Sequence, residues 1–231
     1  FGAVDVASGI DPAWSPDASR IAFSNDACDY YFPCTGGVAI MNVATRTVTQ
    51  LAEGAGGREP AWTPAGDAIA FYRPGQNRQL FVLRLDGSPA QPFDPPGILW
   101  SANPTWSPDG QRIAFTCRAA TGSVDICVMN RSGTGLVRFD RADSYDESPA
   151  WSPDGSKIAY TRSDMFATEI AVMSVDGTAV KRLTSGFEPA WSRDGTKLVF
   201  ARGDGLYTVR ADGSDVRQIT VGNHRAPAWQ P

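Results

Sequence analysis

With 231 residues, 42% hydrophobic content, a formal net charge of −4 and a pI near 5.0, the chain reads as one ordered, mildly acidic domain. It has no basic cluster to meet nucleic acid, and no apolar run approaches the ~18 residues of a membrane-spanning helix. Its single histidine, His224, excludes a histidine-rich metal site, and the absence of a G-x-S-x-G elbow leaves serine hydrolysis without its nucleophile turn.

The chain opens on residues 5–14, DVASGIDPAW, which superpose on residues 182–191, RLTSGFEPAW. From Asp11 the phrase DPAWSPDASRIAF predicts a short strand at Trp14, a turn, and a second strand centred on Ala22. A loop at residues 26–34 follows, then a third strand at 38–41. The same order returns as EPAWTPAGDAIAF from Glu59, with strands at Ala70 and 80–83 and an Asp86-Gly87 turn. It returns again as NPTWSPDGQRIAF from Asn103, with strands at Ala114 and 126–129. SPAWSPDGSKIAY from Ser148 leads to strands at Ala159, 170–173 and 181–184, and EPAWSRDGTKLVF from Glu188 to strands at Val199 and 206–209. A sixth copy stops early as APAWQP from Ala226. The six tryptophans, Trp14, Trp62, Trp106, Trp151, Trp191 and Trp229, are spaced 48, 44, 45, 40 and 38 residues apart.

Strand segments this short, with no sustained helical period, predict an all-β chain of four strands per unit. Four-stranded antiparallel units repeated every 40-odd residues are the pattern of a β-propeller, and the alike tryptophans are expected to fill the gaps between blades. The phrase, with its later Asp-Gly turn and R-x-[LI]-T strand, resembles the TolB-like (WD-like repeat) propeller family across essentially the whole chain. That resemblance implies six blades. It sets an expectation of five complete blades, at about 12–51, 60–93, 104–139, 149–184 and 189–220, and a split sixth. The split blade would join terminal strands at 2–7 and 226–230, its two middle strands lying upstream of Phe1; the alternative is a five-bladed ring with both ends packed as extras. Two copies depart from the phrase: Pro64-Ala65-Gly66 lacks the aspartate at its usual place, and Asp17-Ala18 lacks the glycine.

In a propeller the short turns share one face and the long, dissimilar loops share the other, where function is usually carried. The loop aromatics Tyr30, Tyr31, Phe32, Tyr72, Trp100, Tyr145 and Phe166, with His224, are the candidates for partner contact. The alternative is that several of them pack their own loops. The first letters of the repeated phrase, Asp11, Glu59, Asn103, Ser148 and Glu188, are expected to ring the mouth of the central channel, with Glu147 and Arg225 nearby. Carboxylates converging there repel one another unless something intervenes. A calcium or sodium ion at Asp11, Glu59 and Glu188 is one solution; a solvated funnel whose carboxylates cap backbone amides is the other.

Cys28 with Cys34 and Cys117 with Cys127 pair locally and leave no cysteine over, which suits an oxidising, periplasmic or extracellular compartment. Asn130-Arg131-Ser132 fits a glycosylation acceptor where the host glycosylates. These features point to a non-catalytic binding module for a protein, peptide or glycan, with no catalytic residues and no nucleic-acid partner, within a larger polypeptide or assembly. A lyase-like polysaccharide enzyme and a structural subunit are the alternatives.

Overall fold

The computed structural model describes residues 9–25, 36–75, 78–120, 122–141 and 144–229. Among these, five sheets form, each of four antiparallel strands taken in chain order. The fourth shows the plan: Tyr145–Trp151, Lys157–Ser163, Thr168–Ser174 and Lys181–Ser185. The first strands of the five blades are Gly9–Trp14, Arg58–Trp62, Ile98–Trp106, Tyr145–Trp151 and Phe187–Trp191, and successive ones pack together around a central cavity.

The proline of the repeated phrase shapes each first strand. Proline has no N–H to give to a ladder, so it belongs at a bulge rather than in regular pairing. The pairing register shifts here, for example between Arg58 and Ala61 and between Glu147 and Ala150. The residue before the proline is forced into the left-handed region: Asp11, Glu59, Asn103, Ser148, Glu188 and Ala226 all have φ between 47° and 55°. Each such residue stores about 1–3 kcal/mol of strain, which surrounding contacts must offset.

The turn after each tryptophan is closed by side chains. The Ser152 hydroxyl donates to Asp154 at 2.6 Å and accepts the Lys157 N–H at 2.9 Å. Ser15, Ser107 and Ser192 repeat the pattern. In the second blade the aspartate comes later in the turn, and Thr63 donates to Asp67 at 2.6 Å instead. Ala18, standing where the other blades have glycine, is held at φ 57°.

The core lies between blades. Ala114, Ile126 and Val128 of the third blade pack with Trp151, Ile158, Tyr160 and Met173 of the fourth. The indole N–H groups stitch across the same gaps, Trp62 to the Ala13 carbonyl at 3.1 Å, Trp151 to Thr105 at 3.2 Å and Trp191 to Ala150 at 3.1 Å. The Trp106 N–H is buried with no partner among the described residues, its ring held by Phe93 and by the Arg131 guanidinium. Cys117 and Cys127 form a disulfide across the second and third strands of the third blade. Cys28 and Cys34 lie outside the described residues.

Among the described residues the split sixth blade is not formed and the propeller has five blades. Residues 226–229 carry no strand, and the expected partner strand at 2–7 lies outside the described residues. A first strand needs a neighbouring second strand to complete its hydrogen bonds, and this segment has none among the described residues. It still copies the phrase locally, with Trp229 donating to the Ala190 carbonyl at 3.2 Å.

Replacing Ala18 by glycine removes the left-handed penalty and costs some unfolded-chain entropy, for a net gain of about 0.5–1 kcal/mol. Thermal unfolding is expected to shift upward by about 1–4 °C; an unchanged or lower midpoint would contradict the strain assigned to this turn.

Candidate functional site

The central cavity has a volume of about 380 Å³ and is lined by Asp11, Glu59, Asn103, Ser148, Glu188 and Ala226, the prolines that follow them, and the edges of Trp14, Trp62 and Trp106. The bulge turns each of these first-letter residues out of the sheet and into the channel.

From Glu59 onward their backbone N–H groups are met from the blade before. Where that blade's second strand offers a hydroxyl, the hydroxyl accepts: Glu59 N–H donates to Ser24 at 3.0 Å, Ser148 to Thr116 at 3.1 Å and Glu188 to Thr161 at 2.9 Å. The hydroxyl in turn donates to a short side chain, Ser24 to Asp11 and Thr116 to Asn103. At the same place the second and fifth blades have Tyr72 and Ala201. There the longer glutamate reaches across itself, Glu59 accepting from Asn103 N–H at 2.7 Å and Glu188 from Ala226 N–H at 2.5 Å.

The carboxylates are nevertheless not at ease. Burial pushes the Glu59 carboxyl up to about 7, and the Asp11 and Glu188 charges add to this against the Asn103 N–H and Arg78. Desolvation likewise raises Glu147, with the Glu188 charge adding and Arg78 opposing. Arg225 lies 3.9 Å from Glu188 and over the Phe187 ring. Among the described residues no three His, Cys, Asp or Glu side chains gather closely enough to hold a metal ion.

The loop aromatics divide. Tyr72 is buried in the core between the second and third blades, and Trp100 is packed against that core; the Arg78 guanidinium lies over both rings, at 5.7 and 5.1 Å. Tyr145 and Phe166 are 61% and 92% exposed and line a separate groove. His224 is exposed, its ring nitrogen 3.1 Å from the Val221 carbonyl, and does not line the channel. Tyr30, Tyr31 and Phe32 lie outside the described residues. Sequence reasoning missed Arg78. The signal was a basic residue closing a loop between an aromatic strand end and the acidic first letters.

The fold, with its acidic, proline-ringed channel, is that of a β-propeller built on repeated four-stranded blades. Residues 7–231 match the family described as PD40, TolB beta propeller domain, and the chain belongs to this family. Among curated proteins none matches. Among solved structures, TolB from Acinetobacter baumannii is similar over 96% of this chain, at 22% identity and a TM-score of 0.79. The chain spans 57% of the length of that protein. A putative TolB from Agrobacterium tumefaciens is similar over 90% of this chain and 78% of its own, at 21% identity and a TM-score of 0.74. The oligogalacturonate lyase of Vibrio parahaemolyticus covers 98% of this chain and 73% of its own, at 10% identity and a TM-score of 0.66. At these identities the likenesses speak to fold alone.

The pH dependence of stability follows from the site and the turns. Glu59 has a folded value above its ordinary 4.5, so protonation favours the fold and stability rises as pH falls from about 8 towards 5. Asp17, Asp154 and Asp194 are held down to about 2, first by their serine partners, so their contribution is present above about 4 and is lost as pH falls towards 2. Glu59→Gln keeps an acceptor for Asn103 and removes the charge. Discounted for partial exposure, it is expected to stabilise the protein by about 1–2 kcal/mol at pH 8 and by little at pH 5, read by urea unfolding. An identical pH slope in both proteins would refute the assignment.

Proposed function

We propose that this chain is a non-catalytic recognition module of an exported or cell-envelope protein, and that its channel mouth takes a basic, extended segment of a protein partner. The supporting observation is the charge arrangement. Asp11, Glu59, Glu147 and Glu188 converge with Arg78 and Arg225 as the opposing cations, and two of the carboxyls are pushed up by burial. An incoming lysine or arginine side chain adds counter-charge to this acidic group, and the proline ring provides a rigid wall beside it. The buried disulfide suits an oxidising compartment. A lyase acting on a polyanionic polysaccharide has fold likeness for support, but this acidic mouth repels a polyanion.

Because a bound cation favours the ionised form of Glu59, affinity is expected to rise with pH between about 6 and 8. Peptides selected by display against the whole chain are expected to be rich in Lys and Arg. In biolayer interferometry Glu59→Gln combined with Glu147→Gln should weaken them about tenfold or more. Selection of acidic or purely apolar peptides, or binding indifferent to the double substitution, would overturn this reading.

A further inference from the structure

A second site lies away from the channel, between the third and fourth blades. It is a groove of about 930 Å³ on the loop face, lined by Ser123, Asp140, Ser144, Tyr145, Arg162 and Phe166, among others. Its volume is that of a ligand cleft rather than a crevice.

The floor of this groove is polar and incompletely satisfied. Of the nine buried side-chain polar atoms without a well-formed hydrogen bond among the described residues, two belong to residues lining the groove, Ser144 Oγ and Arg162 Nε, and three lie in the same cluster, Arg141 Nε, Asp146 Oδ1 and Tyr160 Oη. Ser144, Asp146 and Tyr160 are 6%, 1% and 0% exposed. They form one cluster: Asp146 pairs in register with Arg162, lies 3.6 Å from Arg141, and acts electrostatically on Tyr160. Ser144 and Arg162 open directly onto the groove. Ser144 with Asp146, and Tyr160 with Arg162, interact only weakly with one another, so the cluster serves itself incompletely, and Ser144 and Arg162 are the members that an occupant of the groove can reach.

The rim is apolar and held out rigidly. Asp164 accepts the backbone N–H groups of Phe166 and Ala167, both at 2.9 Å, and is itself 3.5 Å from Arg182, which also reaches Glu169 at 3.1 Å. This braced turn presents Met165 and Phe166 at 92% exposure opposite Tyr145. Exposed aromatics on a fixed turn, beside a polar floor, form a platform for a flat apolar face. The charges lining the groove balance, Arg162 and Arg182 against Asp140 and Asp164, so an ionic ligand gains little.

We propose that this groove binds an uncharged saccharide, its hydroxyls meeting Ser144 and Arg162 and its ring faces lying against Tyr145 and Phe166. This site is independent of the channel reading. The test is saturation-transfer NMR and calorimetry on the whole chain with maltose, cellobiose and N,N′-diacetylchitobiose, and with digalacturonate as the charged counterpart. At least one neutral disaccharide is expected to bind with a Kd in the millimolar range or tighter, and above digalacturonate. Phe166→Ala and Tyr145→Ala, exposed positions that leave the thermal midpoint in place, should each weaken it about tenfold. Both should leave capture of basic peptides at the channel intact. Absence of binding by all three sugars, preference for digalacturonate, or binding unmoved by both aromatic substitutions would overturn the proposal.

Discussion

Between each pair of consecutive blades one backbone N–H, belonging to a residue strained into the left-handed region before a proline, is satisfied by the blade that precedes it. The rest of the propeller depends on this contact. The proline imposes the bulge, the bulge turns the first-letter side chain into the channel, and the freed N–H needs an acceptor that only a neighbouring blade supplies. Strain within one sheet is thereby offset by a bond between two, and the blades are kept in angular register while the tryptophans fill the space behind them. The channel lining is thus a by-product of how the ring is held together.

The same residues carry two duties, and the duties conflict. Glu59 serves as acceptor for Asn103, a role that favours its ionised form, yet its surroundings and the Asp11 and Glu188 charges favour the neutral one. A glutamine satisfies the structural duty alone. A carboxylate that costs stability at neutral pH suits the basic partner proposed above, and such trade-offs are typical of functional positions. The groove between the third and fourth blades shows the same signature in a different form, with polar side chains buried and only weakly paired where packing alone calls for apolar ones.

Much of this was legible in the residues. The tryptophan spacing, the Ser-Pro-Asp-Gly turns and the short alternating strands define the blades, because each is a local preference that recurs. The pairing of first letters with second-strand residues was also present and went unread. Glu59 and Glu188 stand in the blades with Tyr72 and Ala201, whereas Asp11, Asn103 and Ser148 stand with Ser24, Thr116 and Thr161. Side-chain length compensates for a missing hydroxyl, a correlation visible in the chain but meaningful only once the junction is seen. Arg78 gave a weaker signal, since a loop arginine is ordinary until its guanidinium is found over Tyr72 and Trp100.

Sequence by itself determined the repeat, the strand order within each blade, the placement of the tryptophans between blades and the Cys117–Cys127 pairing, all of them consequences of local spacing. Tertiary structure decided what spacing does not encode. It left 226–229 without a strand, because an inner strand forms only against a second strand. It divided the loop aromatics into buried Tyr72, packed Trp100 and exposed Phe166, because burial is set by what the neighbouring blade covers. And it set the carboxyls of the channel against one another, because charges far apart in the chain acquire their energies only when the ring brings them together.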